Sequence, residues 1–183
     1  YLSGIDQEES ILVLFPDSFH EHHREILFLR ETNEEIAIWE GAKLSKEQAK
    51  NVSGIKTIYW LSDFERVFKS LMSEAHHVYL NTNEHLRAST EVETRDARFM
   101  KKCKADFPLH HYERSAPIMH KIRSIKHSLE VELIQVACDI TEMGFRRILN
   151  FIKPGVMEFE IEAELIHEFI RNRSRGFAYT PIL

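Results

Sequence analysis

A chain of 183 residues has room for one domain, or for one domain and part of another, and folding can bury roughly 70 per cent of its unfolded surface. A formal charge of −5, with acids and bases mixed along the chain, leaves no basic stripe for phosphate neutralisation, so nucleic acid is not an expected ligand. Two cysteines, Cys103 and Cys138, have no C-x-x-C partner, which argues against a disulfide framework or zinc knuckle and for a reducing, cytoplasmic setting; the longest apolar run, 11–15, is far below the ~20 residues of a membrane span.

Three β-branched, apolar runs at 11–15, 26–29 and 36–39 read as strands, separated by polar segments that contain Pro16, Asp17 and Asn33. From Ser62 the period changes: Phe64, Val67, Phe68 and Leu71 share one helical face, and Ser62 with Glu65 has the spacing of a capping box. A strand at 78–80 precedes a charged helix at about 91–104, with Val92, Phe99, Met100 and Cys103 as its apolar face. Strands alternating with helices indicate an α/β fold.

Residues 107–126 carry Pro108 and Pro117 and few periodic apolar positions, which predicts an irregular connection between two domains. Ser128 then caps a helix with Ile134, Ala137, Phe145, Ile148 and Ile152 on one face, stopped by Lys153-Pro154-Gly155. A last helix at about 158–175 has Phe159, Ala163, Ile166 and Ile170 as its predicted buried stripe, acids at its start and arginines at its end, in the order that suits the helix dipole.

Eleven histidines invite a metal reading, above all in His20-Glu21-His22-His23, since imidazole is a common ligand of zinc, copper and nickel. That stretch lies in a polar connection without an accompanying cysteine, and a solvated hairpin loop is the simpler account. His167-Glu168 lacks the second histidine of H-E-x-x-H, because Arg171 stands there. The adjacent pairs His76-His77 and His110-His111 point to opposite faces of a strand and do not share an ion. With six glycines and no G-x-G-x-x-G, P-loop or G-x-S-x-G, neither a phosphate cradle nor a nucleophile elbow is present.

Tyr1-Leu2-Ser3-Gly4, Ile26-Leu27-Phe28-Leu29, Trp39-Glu40-Gly41, Arg123-x-x-Lys126, Pro154-Gly155 and Tyr179, in that order, resemble motifs of the aminopeptidase P branch of the creatinase and prolidase family. Tyr1-Leu2-Ser3-Gly4 before the strand at 11–15 resembles the family's Y-L-T-G, and Ile26-Leu27-Phe28-Leu29 followed by Trp39-Glu40-Gly41 resembles its L-F…W-x-G. Arg123-x-x-Lys126, the following helix, Pro154-Gly155, Glu158 and Tyr179 resemble its R-x-x-K…P-G…E…S-Y, with Met157 where a capping Thr or Ser is usual and Ala178 where Ser is usual.

The resemblance implies a creatinase-type N-terminal domain over 1–120, with a mixed sheet and flanking helices, and the first helices of a pita-bread metallopeptidase domain over 121–183. It implies hydrolysis of the bond before a penultimate proline by two divalent ions, manganese by family habit, which bridge and deprotonate water and polarise the scissile carbonyl. Their ligands are expected after Leu183, so no catalytic or metal-binding residue is assigned and the chain alone is expected to be inactive. Trp39 corresponds to an aromatic that walls a neighbouring subunit's proline pocket in an oligomer, dimer or tetramer, with strand-end packing as its plain alternative. Tyr179 corresponds to a tyrosine near the metal site, with a buried strand tyrosine as its alternative. A prolidase-type dipeptidase and a non-catalytic peptide-binding or oligomerisation module are the other functional readings.

Overall fold

The computed structural model describes residues 2–85, 91–180 and 182, and internal packing divides the chain into two units, Tyr1–Ala116 and Pro117–Leu183. No helix among the described residues is long and apolar enough to cross a membrane.

The first unit is organised by a mixed three-stranded sheet, β1 (Ile11–Leu14), β2 (Glu25–Leu29) and β3 (Thr57–Trp60), in that spatial order. β1 runs antiparallel to β2, with Ile11 opposite Phe28, and β2 runs parallel to β3, with Ile26 opposite Thr57. The central strand is covered on both faces. Ile26, Leu27, Phe28 and Leu29 each have 0% exposure, which is why this strand reads as an unbroken apolar run and not as an alternation.

Its two faces feed two cores. Ile26 and Phe28 meet Phe64, Val67 and Leu71 of α3 (Phe64–Glu74), while Leu27 and Leu29 meet Ala49 of α2 (Lys46–Ser53) and Ile55. The Phe28 and Phe64 rings meet edge-on at 5.1 Å, and Phe68 links that core to Phe99 of α4 (Arg95–Asp106) at 5.4 Å. The edge-to-face Phe28–Phe64 pair adds to what its buried area contributes.

The run 36–39, expected as a strand, lies in α1 (Glu34–Glu40). The local signal that wins is the cap: Asn33 Oδ1 accepts from Ile36 N at 2.8 Å, Glu34 and Glu35 sit at the positive helix start, and Gly41 ends the helix at φ 84°. α3 also starts otherwise than expected. A 3-10 turn, Leu61–Asp63, leads into it, and the Ser62 hydroxyl donates to Glu31 instead of receiving an amide of α3. Ser45 of α2 does form the reciprocal box, accepting from Gln48 N at 3.2 Å while Gln48 Oε1 accepts from Ser45 N at 2.9 Å.

β4 (His77–Leu80) pairs in parallel with β5 (His111–Arg114), which places a strand and the start of α5 (Ala116–Ser124) where an irregular connection was expected. β5 carries a single apolar side chain, Tyr112, so its pairing with β4 and not its own pattern makes it a strand. Pro117 sits in the first turn of α5, where a missing N–H costs nothing. α4 begins at Arg95, capped by Thr94 Oγ1 on Ala97 N at 3.2 Å, which leaves Val92 outside the helix and exposed.

The second unit contains α5 from Pro117 onward, α6 (Ser128–Phe151) and α7 (Glu158–Arg171). His127, not Ser128, occupies the N-cap of α6: its Nδ1 accepts from Leu129 N, and Glu130 Oε2 accepts from His127 N at 2.9 Å. The chain reverses through Gly155 at φ 95°. α7 ends four residues before Arg175, because Arg173 turns left-handed at φ 66° and Ser174 N donates back to Phe169 O at 2.9 Å, a Schellman-type closure.

The buried stripe of α7 is Ile161, Leu165 and Phe169, packed on Ile140 and Ile148 of α6, whereas the predicted Phe159 and Ile170 are exposed. Both stripes have helical spacing; what selects between them is the approach of α6. A Cβ on Gly144 would lie 2.9 Å from Phe169 Cε1 and 3.0 Å from Leu165 Cδ2, so the two helices approach closely there. Arg147 brackets the same contact, reaching Glu164 at 2.5 Å and the buried Glu168 at 3.3 Å.

Candidate functional site

Trp39 projects from α1 and is 83% exposed, with Ile38 beside it equally open. An exposed indole next to an exposed isoleucine offers an apolar, flat surface of the kind that a proline ring or peptide backbone can lie against. None of the α1 side chains is fully buried, and Ile36 and Ala37 are half-buried.

Tyr179 belongs to the second unit, in the bend after α7, and is 82% exposed. Trp39 and Tyr179 thus stand on different units. Arg123 and Lys126 were expected in structural contacts at the junction. Lys126 Nζ donates to Arg123 O at 2.6 Å and neutralises the carbonyl end of α5, a use of lysine that the helix dipole favours.

Among the described residues no group of three or more histidine, cysteine or acidic side chains is placed to hold a metal ion. The residues described do not fit the two-ion centre implied by the family resemblance. The histidines are nonetheless gathered in ways the sequence did not reveal. His20, His22 and His23 bring their rings within 4.2 to 5.5 Å of one another, because the connection 16–24 folds into a 3-10 turn, Glu21–His23, and positions three apart in such a turn eclipse.

Ser18 anchors that connection, donating from a buried hydroxyl to Glu74 of α3 at 3.1 Å. Partial burial lowers the proton affinity of His23, His22 and His20 lower it further, and only Glu74 opposes them. His77 and His111 stack across β4 and β5 at 5.2 Å with Glu113 3.4 Å from His77, a pairing across strands that adjacency along one strand conceals.

A groove of about 590 Å³ runs between α3 and α4, floored by Phe68, Phe99 and Phe107 and rimmed by the Glu65–Lys102 ion pair. Cys103 lies at its base, and burial pushes its thiol up to about 11, so it is not a nucleophile at neutral pH. The Tyr112 hydroxyl faces the carbonyls of Cys103 and Phe107 at 2.7 and 2.8 Å and ties β5 to the end of α4. These groups stabilise the fold.

Comparison with known proteins accounts for both units. The family described as aminopeptidase P, N-terminal domain, matches residues 1–79, and metallopeptidase family M24 matches residues 132–183. An Xaa-Pro aminopeptidase of Escherichia coli K12 is 26% identical over 185 residues, covering all of this chain and 42% of the relative. The low-pH structure of E. coli aminopeptidase P superposes with a TM-score of 0.74 at 26% identity, over 97% of this chain and 40% of that one. Pseudomonas aeruginosa aminopeptidase PepP shares the fold, with a TM-score of 0.79 at 23% identity over 97% of this chain and 40% of its own. The chain spans about two fifths of the length of the relatives it matches. Two family matches thus fall in the order of the two units, on a fold shared with solved aminopeptidase P structures, and make the chain similar to the N-terminal domain of aminopeptidase P over 1–79 and to family M24 metallopeptidases over 132–183.

Proposed function

We propose that this chain works as part of an Xaa-Pro aminopeptidase, which hydrolyses the peptide bond before a penultimate proline. The observation that carries this reading is the tandem match: an aminopeptidase P N-terminal domain over 1–79 and a family M24 metallopeptidase segment over 132–183, in one chain. The domain assignment is 1–120 and 121–183, supported by the break in packing at Ala116 and Pro117. Divalent ions, manganese in this reading, would be held by residues outside those described here, and would supply an activated water and a polarised carbonyl.

The part played by this chain's own residues is recognition and assembly. Trp39 is a substrate-pocket wall offered to a neighbouring copy in a homo-oligomer; its exposure on a projecting helix supports that role. Tyr179 offers a solvent-facing hydroxyl to a ligand or bound water near the metal centre. The protein acts on peptides in the cytoplasm, with neither nucleic acid nor membrane as a partner, in keeping with its mixed charge and moderate acidity.

The test is an assay of an Ala-Pro-led tripeptide with a protein of full family length, with and without manganese, beside the purified 183-residue chain. Metal-dependent release of the first residue by the long form and none by the short form is expected. Failure of the long form to cleave, with its fold intact, would overturn the enzyme reading in favour of a peptide-binding or oligomerisation module. Cleavage of Xaa-Pro dipeptides alone would mark a prolidase-type dipeptidase. Trp39→Ala is expected to raise KM about tenfold with little change in kcat, since it removes ground-state and transition-state contact alike.

A further inference from the structure

α1 is seven residues long, has no fully buried side chain and packs only through the half-buried Ile36 and Ala37, so its length and packing hold its direction weakly. Its anchorage is ionic. Arg30 follows directly on the fully buried residues of β2, and its guanidinium grips Glu40, the last residue of α1, through both terminal nitrogens at 2.9 and 2.8 Å. The same guanidinium lies 3.4 Å from Glu8 and 3.8 Å from Glu9. Beyond Gly41 the chain is stitched to that same segment again: Lys43 donates to Glu8, and Gln7 Oε1 accepts from Leu44 N at 2.8 Å.

We propose that Arg30 is the positioning residue of the Trp39 arm, gathering Glu8, Glu9 and Glu40 so that α1 stands at one angle and presents Ile38 and Trp39 outward. A planar fork suits this task, because it fixes the orientation of a carboxylate as well as its distance, which a lysine ammonium does not. The hub joins the last residue of α1 to the residue that follows the fully buried run of β2, just before the glycine. The consequence for catalysis rests on the reading of Trp39 as a pocket wall; the positioning role itself does not.

Amide exchange in the 183-residue chain tests the inference. Arg30→Met is expected to speed exchange of residues 36–41 about five- to tenfold and to leave the β2 amides 26–29 unchanged, as for a local opening and not a global one. Glu40→Gln should produce most of that change, Arg30→Lys about half of it, and 1 M NaCl should act in the same direction on the unmodified chain. Unchanged exchange at 36–41 in a folded Arg30→Met overturns the proposal. Should that variant fail to fold, Glu40→Gln decides, because Glu40 is an exposed side chain outside both cores and its loss only frees the end of α1. In the family-length enzyme, both variants should raise KM for an Xaa-Pro tripeptide at constant kcat. Faster exchange with unchanged KM would leave the positioning role standing and remove the pocket role of Trp39.

Discussion

The two units solve burial differently. In the first, a strand four residues deep in apolar side chains is covered on both faces, by α3 on one side and α2 on the other, and nothing along 26–29 meets solvent. In the second, two long helices cover one stripe of each other, Ile148 against Leu165 and Phe169, and leave apolar side chains such as Leu133, Phe145, Leu149 and Phe159 exposed. A sheet strand has two faces that a short crossover can cover from within one unit, whereas a helix pair covers only the ridge where the two cylinders touch. Stability should therefore be concentrated in side chains of the first unit and in one crossing point of the second.

The largest expected effect contrasts the two kinds of apolar residue. Phe28→Ala, at a wholly buried ring, should cost about 3–5 kcal/mol in urea unfolding of the first unit, while Leu149→Ala, 72% exposed, should cost under about 0.5 kcal/mol. Similar costs for the two would erase the contrast. Next, Gly144→Ala tests the crossing: the added methyl meets Phe169 and Leu165 at 2.9 and 3.0 Å, so overpacking of about 1–3 kcal/mol should outweigh the ~1 kcal/mol that alanine contributes to helix propensity. A thermal midpoint of the second unit that rises in this variant would place the helices farther apart than described.

The cysteines sharpen the comparison chemically. At pH 8 a thiol reagent should modify the exposed Cys138 of α6 and spare the buried Cys103, whose thiol is held at about 11. Because that folded value lies above the ordinary 9.0, the corresponding stability is complete below pH 9 and should drain away as pH rises towards 11, which Cys103→Ser would largely abolish. The smallest effect runs the other way in pH. His23 binds its proton less readily in the folded unit than in the unfolded chain, so stability should decline as pH falls below 6.5, and His23→Gln should flatten that decline. Glu74 of α3 faces this imidazole, and Glu21, Arg24 and Glu25 adjoin it along the chain, so the slope measured is that of the cluster.

Much of the first unit was legible because its apolar runs are strong and short: 11–15 and 26–29 appear as β1 and β2, and Phe64, Val67 and Leu71 face the core as their spacing predicts. The run 36–39 was misread because Ile-Ala-Ile-Trp has strand-like composition, while the decisive Asn33-Glu34-Glu35 start lies before it. β5 was invisible for the opposite reason: His-Tyr-Glu-Arg carries no strand pattern, and only the hydrogen bonds of β4 make it one. In α7 two stripes of equal period compete, and the spacing of residues cannot say which one α6 will cover.

The candidate site divides along the same line. Trp39 and Tyr179 were named from motif order, yet that both stand in solvent, and that Trp39 rides a helix and not a strand, came from the fold. The Arg30 hub was legible nowhere, since Glu8, Glu9, Arg30, Glu40 and Lys43 are ordinary surface charges until the chain brings them together. Taken alone, the residues determine which segments bury apolar surface, where helices start and stop at good caps, and which family's motifs stand in which order, because those depend on neighbours within a few positions. The tertiary structure decides strand partners, the choice between equivalent helix faces and the meeting of distant charges, because each is a contact between residues far apart in the chain, whose energy exists only once the rest of the unit has folded.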